Sequence, residues 1–545
     1  MLPITCSLSS SPSISSFISS HPSLLLLETQ CATMRDLHQL HSHIIKSGLA
    51  RHPVAVSRLL SFSATAPDLD YASLLFSCAP PERTNFMYNT LIRAHAKSSN
   101  PHSAIALFLD MLHSPTPPGR LTFPSLFTAY AQLGLADQGM QLHSLVLKLG
   151  FASDTYVRNA TLSMYAACGR LAEAYRLFNE CASFDIVPFN SMIMGLAKKG
   201  LVDESRRLFD TMPSRNVVTW SAMISGYVRN AKNLEALDAF RRMQAEGVEP
   251  NEQIMVSLLG ACASLGTLDR GEWIHGYIKK KKIETNLIVM AAIINMYCKC
   301  GSLEKAAAAF ESAPTKGLST WNAMISGLAM HGHGEDAVRM FSRLESSRFQ
   351  PDHVSFIGIL TACNHSGMVD EARYYFSRMS RVYGIERGIE HYGCLVDVLG
   401  RAGLVQEAED VIGRMHIAPD SIVWGSLLSA CRSCGNVEIG ERAAAKIIEL
   451  DPRDAGGYMN LSNGYASCGD FDRAVRVRTA MERKGVRKEP GCSVIEVDGV
   501  VSEFVAGGML HARAGEICRV LEGLDLNMRG EVSGMKLGAS FSSIS

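Results

Sequence analysis

The chain has 545 residues, 47% of them apolar and 19% charged, which suffices to bury a core and excludes global disorder. Its 53 basic residues balance 53 acidic ones, so a strongly basic, polyanion-seeking protein is excluded as the first reading. Its 15 cysteines are scattered and read as free thiols, and no apolar run approaches the ~20 residues a membrane helix needs. In chain order, residues 7–23 hold ten serines, while the first acidic residue is Glu28 and the first basic one Arg35. A serine-rich, acid-free leader suits an organellar transit peptide. Residues 1–19 are assigned to it or to a disordered tail, with the lack of arginine favouring a plastid over a mitochondrion.

From residue 54 a phrase recurs. Asn190-Ser-Met-Ile-Met-Gly195 is echoed by Trp220-Ser-Ala-Met-Ile-Ser-Gly226 and by Trp321-Asn-Ala-Met-Ile-Ser-Gly327. Aligning on it gives thirteen repeats, starting at 54, 85, 120, 155, 186, 217, 252, 287, 318, 353, 389, 421 and 455. Residues 20–53 read as one more, worn repeat. Each repeat predicts two helices: the first has helically spaced apolar residues, such as Met192, Ile193 and Leu196. A glycine then recurs at position 15, from Gly134 to Gly469, with Ala231 the departure after residue 120. That placement predicts a left-handed helix C-cap. Position 20 is small throughout, from Ser73 through Ala337 and Ala372 to Ala474, and position 24 is often Phe, as at Phe209 and Phe310. Small residues at one register let helices cross closely, and the large ring fills the space beside them. One helix pair cannot bury both faces, but stacked pairs can. The expected fold class is all-α, a right-handed α-solenoid of stacked helix-turn-helix repeats without a β-sheet core.

These residues resemble the plant pentatricopeptide repeat (PPR) proteins, over about four-fifths of the chain. Repeats of 31, 35 and 36 residues alternate, as in the P, L and S motifs of the PLS subclass. Residues 54–420 look like the array and 421–488 like the two E motifs. Residues 489–508 resemble the start of an E+ extension, and 509–545 are a divergent tail. The resemblance implies that each repeat reads one RNA base through its fifth and last residues. The implied base-reading residues are Asn89, Asn159, Asp185, Asn190, Asn216, Ser221, Asn251, Asn322, Asp352, Gly393 and Asp420. Read without the resemblance, Asp or Asn before a helix is an ordinary cap. Apolar second residues, Val187, Val218 and Ile288, would flank the base. By the family's correspondence Asn with Asp favours U, Asn with Asn favours C over U, Ser with Asn favours A, and Gly with Asp leans to G. The implied target is 5′-U-Y-A-n-n-U-n-g-3′.

A zinc deaminase, which some relatives carry, needs His-x-Glu and a later Pro-Cys-x-x-Cys. His333, Glu335, Cys431 and Cys434 match in letters, but they lie in different repeats and no proline precedes Cys431. No catalytic residue, metal or cofactor is expected, and His143 and His275, at position 24, read as packing residues. The run Lys279 to Lys282 reads as a solvated helix end. The expected function is sequence-specific binding of single-stranded organellar RNA, choosing sites for C-to-U editing. A deaminase acting in trans and editing-complex proteins would dock through residues 421–508. The alternatives are a splicing or transcript-stability factor and a tetratricopeptide-like scaffold; the latter class keeps a near-constant 34-residue period.

Overall fold

Many first helices of the repeats start at a side-chain cap. Asp154, Asp185, Asn216, Asn251, Asn286, Asp352 and Asp420 each accept a backbone N–H from the first turn of the helix that follows. In the computed structural model, residues 14–532 are described, apart from 66–67, 80–82, 181–184, 488–490, 498–499, 507, 509–510 and 512. Helix stops are equally regular. Gly134, Gly169, Gly200, Gly266, Gly301, Gly332, Gly367, Gly403, Gly435 and Gly469 all have φ between 68° and 81°. Ala231 adopts the same conformation, at φ 57°, with an exposed side chain. A Cβ in that region costs about 1–2 kcal/mol, while glycine loses ~0.4–1 kcal/mol through the unfolded chain. Ala231→Gly is therefore expected to stabilise the protein by about 0.5–1 kcal/mol in a denaturant melt, whereas Lys281→Ala leaves the midpoint unchanged.

The result is an all-α solenoid of helix pairs, 26 helices between Pro53 and Arg483 among the described residues, with no strand in that span. It divides into two compact units, one up to Glu249 and one from Pro250. Within each, the first helices of successive repeats pack side by side, as Thr155–Ala167 does on Ile186–Lys198 and Leu318–Met330 on His353–His365. Each second helix folds back on its own first helix.

The position-20 residues lie at these crossings. Ala104, Ala174, Ala236, Ala306, Ala337, Ala372 and Ala408 are wholly buried. At Gly139 and Gly271 a Cβ would fall 2.6 and 2.2 Å from the sulfur of Met164 and Met296, each on the next repeat's first helix. Position-24 rings meet an aromatic of the next repeat edge-on: Phe209 on Trp220 and Phe310 on Trp321, both at 4.8 Å, and Phe376 on Tyr392 at 5.1 Å.

The first repeat differs from the sequence reading by one residue. Its first helix is Pro53–Thr65, Ser73 is exposed, and the buried small residue is Ala72. Phe76 then takes position 24 and packs on Tyr88 at 5.0 Å. Burial decides the register, and both neighbours Ala72 and Ser73 are small enough to mislead.

His143 and His275 replace the position-24 phenylalanine and hydrogen-bond the hydroxyls of Tyr165 and Tyr297 at 3.0 and 2.9 Å. Burial, helped by Lys279, pushes the His275 imidazole down from 6.5 to about 4. Between those values the unfolded chain binds the proton that the folded chain rejects. His275's contribution is thus complete above pH 6.5 and lost as pH falls towards 4. The melting midpoint is expected to drop from pH 7 to pH 4.5, and His275→Phe to flatten that slope.

The chain's ends depart from the solenoid. Residues 1–13 of the 1–19 leader lie outside the described residues, while Ile14–Ser20 is a helix with Ile18 buried. Pro22–Thr29 and Met34–Lys46 are helices within residues 20–53. Beyond the array, Cys492–Val497 and Val500–Val505 pair as an antiparallel hairpin, and Ala514–Val532 is a helix within the segment read as a divergent tail. No described helix is long and apolar enough to cross a membrane, and every cysteine among the described residues is a free thiol.

Candidate nucleic-acid interface

The fifth residue of a repeat sits one turn into its first helix, and an Asp or Asn at the last position caps the next first helix. In two repeats stacking brings the two side chains together. Asn159 Nδ2 donates to Asp185 Oδ2 at 3.0 Å, while Asp185 Oδ1 accepts from Val187 N at 3.3 Å. Asn322 Nδ2 donates to Asp352 Oδ1, also at 3.0 Å, and that oxygen accepts from Ser355 N at 2.9 Å. The same carboxylates are therefore helix caps and partners of the fifth residue at once. Burial pushes the Asp352 carboxyl up, but hydrogen bonds from Ser355 and Asn322 outweigh it and hold it below the usual carboxylate value.

A third position holds the fifth residue from the other side, and sequence reasoning missed it. Ser355 Oγ lies 2.6 Å from Asn322 Oδ1, and Thr122 Oγ1 lies 2.8 Å from Asn89 Oδ1. Both hydroxyls are the third residue of the following repeat. Asn89 also donates to Asn85 Oδ1. Asn159 and Asn190 lack such a brace: their Oδ1 atoms are buried with no hydrogen-bond partner among the described residues. Asn216, paired by sequence with Asn190, is exposed and caps its helix through Thr219 N at 3.0 Å. Ser221 is half-buried in the first compact unit; Asn251 belongs to the second, where it accepts from Ile254 N at 3.1 Å. Gly393 is half-buried, and Asp420 accepts from Val423 N at 2.9 Å.

The second residue of the repeat points outward. Val187, Val218 and Ile288 are 49%, 50% and 65% exposed, which leaves apolar surface uncovered at one register. Phe86, Tyr156, Val354 and Ile422 repeat the feature; position 2 of their own repeats was the signal for them. In the first compact unit a groove runs past Tyr156, Asn159, Asp185 and Val187 to Lys198 and Arg229. The two cations share position 13, as do Lys299 and Arg401 in the second unit.

Charge is sorted between the two helix layers. Carboxylates of the second helices pair across repeats, as in Arg170–Asp137 at 2.8 Å, Arg343–Glu311 at 2.9 Å and Arg442–Glu409 at 2.8 Å. Each such exposed pair contributes only ~0–1 kcal/mol. Each pair takes up one charge of either sign on the second-helix layer, away from the position-13 cations Lys198 and Arg229 that line the groove. His333 and Glu335 lie at the start of helix Gly334–Glu345, and Cys431 is buried in Ser421–Cys434 with its thiol pushed up to about 11 by burial. Among the described residues no three His, Cys, Asp or Glu side chains gather as a metal cluster.

Comparison with known proteins finds repeat and motif families along the chain. The PPR repeat matches residues 86–114, 187–217, 289–318, 354–382 and 390–417, and the PPR repeat family 215–264 and 316–365. The E motif matches 434–496, running into the first strand of the hairpin. The Arabidopsis thaliana pentatricopeptide repeat-containing protein At2g42920, chloroplastic, is 48% identical over 95% of this chain and 93% of its own length. A second from that plant, At5g48910, is 41% identical over 92% of this chain and 81% of its own. The crystal structure of PPR10 in complex with an 18-nt psaJ RNA element covers 88% of this chain and 90% of its own, at 16% identity and a TM-score of 0.38. On these matches the chain belongs to the pentatricopeptide repeat proteins, in the subclass with alternating repeat lengths and a C-terminal E motif.

Proposed function

We propose that this protein binds single-stranded RNA sequence-specifically and selects cytidines for C-to-U editing in an organelle. The observation that carries the reading is the paired amide and carboxylate of Asn159 with Asp185 and of Asn322 with Asp352, beside the exposed apolar residues at position 2. An amide can donate and accept, whereas an ionised carboxylate only accepts, so the pair can tell base edges apart. Bases splayed from a single strand would lie between successive position-2 side chains, a sequence-tolerant packing. The cations at position 13 would meet the phosphates, and their small number implies a shallow salt dependence.

Editing, rather than another fate of the RNA, is favoured by the alternating repeats and the E motif. In this reading the chain supplies no catalysis; residues 421–508 recruit a deaminase in trans. An organelle is favoured by the serine-rich leader and by the word chloroplastic in the name of the 48% relative. Organellar RNA sequencing of a plant lacking this protein tests the proposal. Loss of conversion at one or a few cytidines preceded by the implied target supports it; unchanged editing with altered splicing or transcript ends contradicts it.

A further inference from the structure

Position 9 is a further wall of the groove. In the first compact unit Thr128, Ser163, Met194 and Ser225 occupy it and line the groove beside Asn159 and Asp185. It lies one helical turn beyond position 5 on the same helix face. In the array the residue at this register is a carboxylate once, at Asp397, in the repeat whose fifth residue is Gly393.

The surroundings of Asp397 are built. Asn364 Nδ2 donates to its Oδ2 at 2.6 Å and Arg401 Nε to the same oxygen at 3.2 Å. Asn364 is 6% exposed, and its own Oδ1 has no hydrogen-bond partner among the described residues. The amide is thus committed to holding the carboxylate at the expense of its own oxygen. Asp397 Oδ1 takes neither bond, and the side chain remains 28% exposed. Above it, Gly393 leaves space: a Cβ there would meet only Val423 Cγ2, at 3.9 Å.

We infer that Asp397 is a specificity residue that accepts hydrogen bonds from the Watson–Crick edge of a guanine admitted over Gly393. The inference rests on the RNA-binding reading above. An ionised carboxylate only accepts, and guanine presents two adjacent donors, N1–H and N2–H2. Adenine and cytosine each set a bare ring-nitrogen acceptor beside the amino group, and uracil sets its single N3–H between two carbonyls, so none of the three presents two adjacent donors.

The test uses the full chain and four RNAs that differ only in the base opposite repeat 389–420. Wild type is expected to bind the guanine RNA at least tenfold more tightly than the other three. Asp397→Asn, whose amide offers one donor and one acceptor, is expected to lose that preference in favour of adenine. Gly393→Asn, which fills the space above an intact Asp397, is expected to lose the guanine preference as well, and it serves if Asp397→Asn melts early. Retention of the guanine preference by a folded Asp397→Asn, or an equal loss of affinity for all four RNAs, overturns the inference. Asp352→Asn, measured in parallel, separates two failures. If it changes base preference at its own repeat while Asp397→Asn changes nothing, this inference alone fails. If no variant and no wild type discriminates bases anywhere, the RNA-reading account fails with it.

Discussion

Asp352→Asn is expected to turn the base preference of repeat 318–352 from U towards C. In the native pair Asn322 donates to Asp352 at 3.0 Å, and the carboxylate is held ionised by Ser355 and Asn322. An acceptor there suits the N3–H donor of uracil and repels the bare N3 of cytosine. An asparagine can rotate its Nδ2 to donate to that N3. A wrong base edge costs about 1–3 kcal/mol, by analogy with duplex readout. Gel shifts with two RNAs differing only in this base resolve such a gap. The cap is kept in the variant, since Asn accepts from Ser355 N as Asp does. A change in base preference without a change in melting midpoint is therefore the expected signature.

Overpacking a helix crossing is the second large effect. Ala337→Leu and Ala372→Leu each introduce three carbons where the native methyl is wholly buried between helices. The cost is about 1–3 kcal/mol, since a packed core yields only by shifting backbones or straining rotamers. Both variants should melt below wild type, with Lys281→Ala unchanged as the surface control. Equal midpoints for all three would remove the close-crossing argument.

The solenoid was legible because its determinants are local and periodic. A left-handed φ demands glycine almost regardless of neighbours, so from Gly134 onward the position-15 residues announced the first-helix stops, and Ala231 shows the conformation persisting without one. The close crossing demands a small residue, so position 20 gave the register. Where two adjacent small residues occurred, at Ala72 and Ser73, composition could not choose and burial did. The hairpin carried its own signal in the β-branched, valine-rich runs Cys492–Val497 and Val500–Val505, which pair with Val497 opposite Val500. The helix Ala514–Val532 has no repeat to mirror, and three glycines, Gly515, Gly523 and Gly530, weaken its local propensity.

The interface was legible only in part. Residues at fixed register, such as Asn322 and Asp352, could be named from spacing and the family likeness. What spacing could not give was how they are held. Ser355 and Thr122 brace the reading amides from the next repeat, a contact between residues 33 apart in sequence that only stacking creates. The bland capping role of Asp185 and Asp352 is also real, and one carboxylate fills both roles because it has more lone pairs than the cap consumes.

The most direct test of base reading is the affinity of the purified full chain for a short single strand carrying 5′-U-Y-A-n-n-U-n-G-3′. The comparison strand has the same composition with the specified bases permuted. At fixed salt the matched strand is expected to bind at least tenfold more tightly by fluorescence anisotropy, with the gap shrinking when Asp185→Asn and Asp352→Asn are combined. Equal affinity for matched and permuted strands would contradict the account.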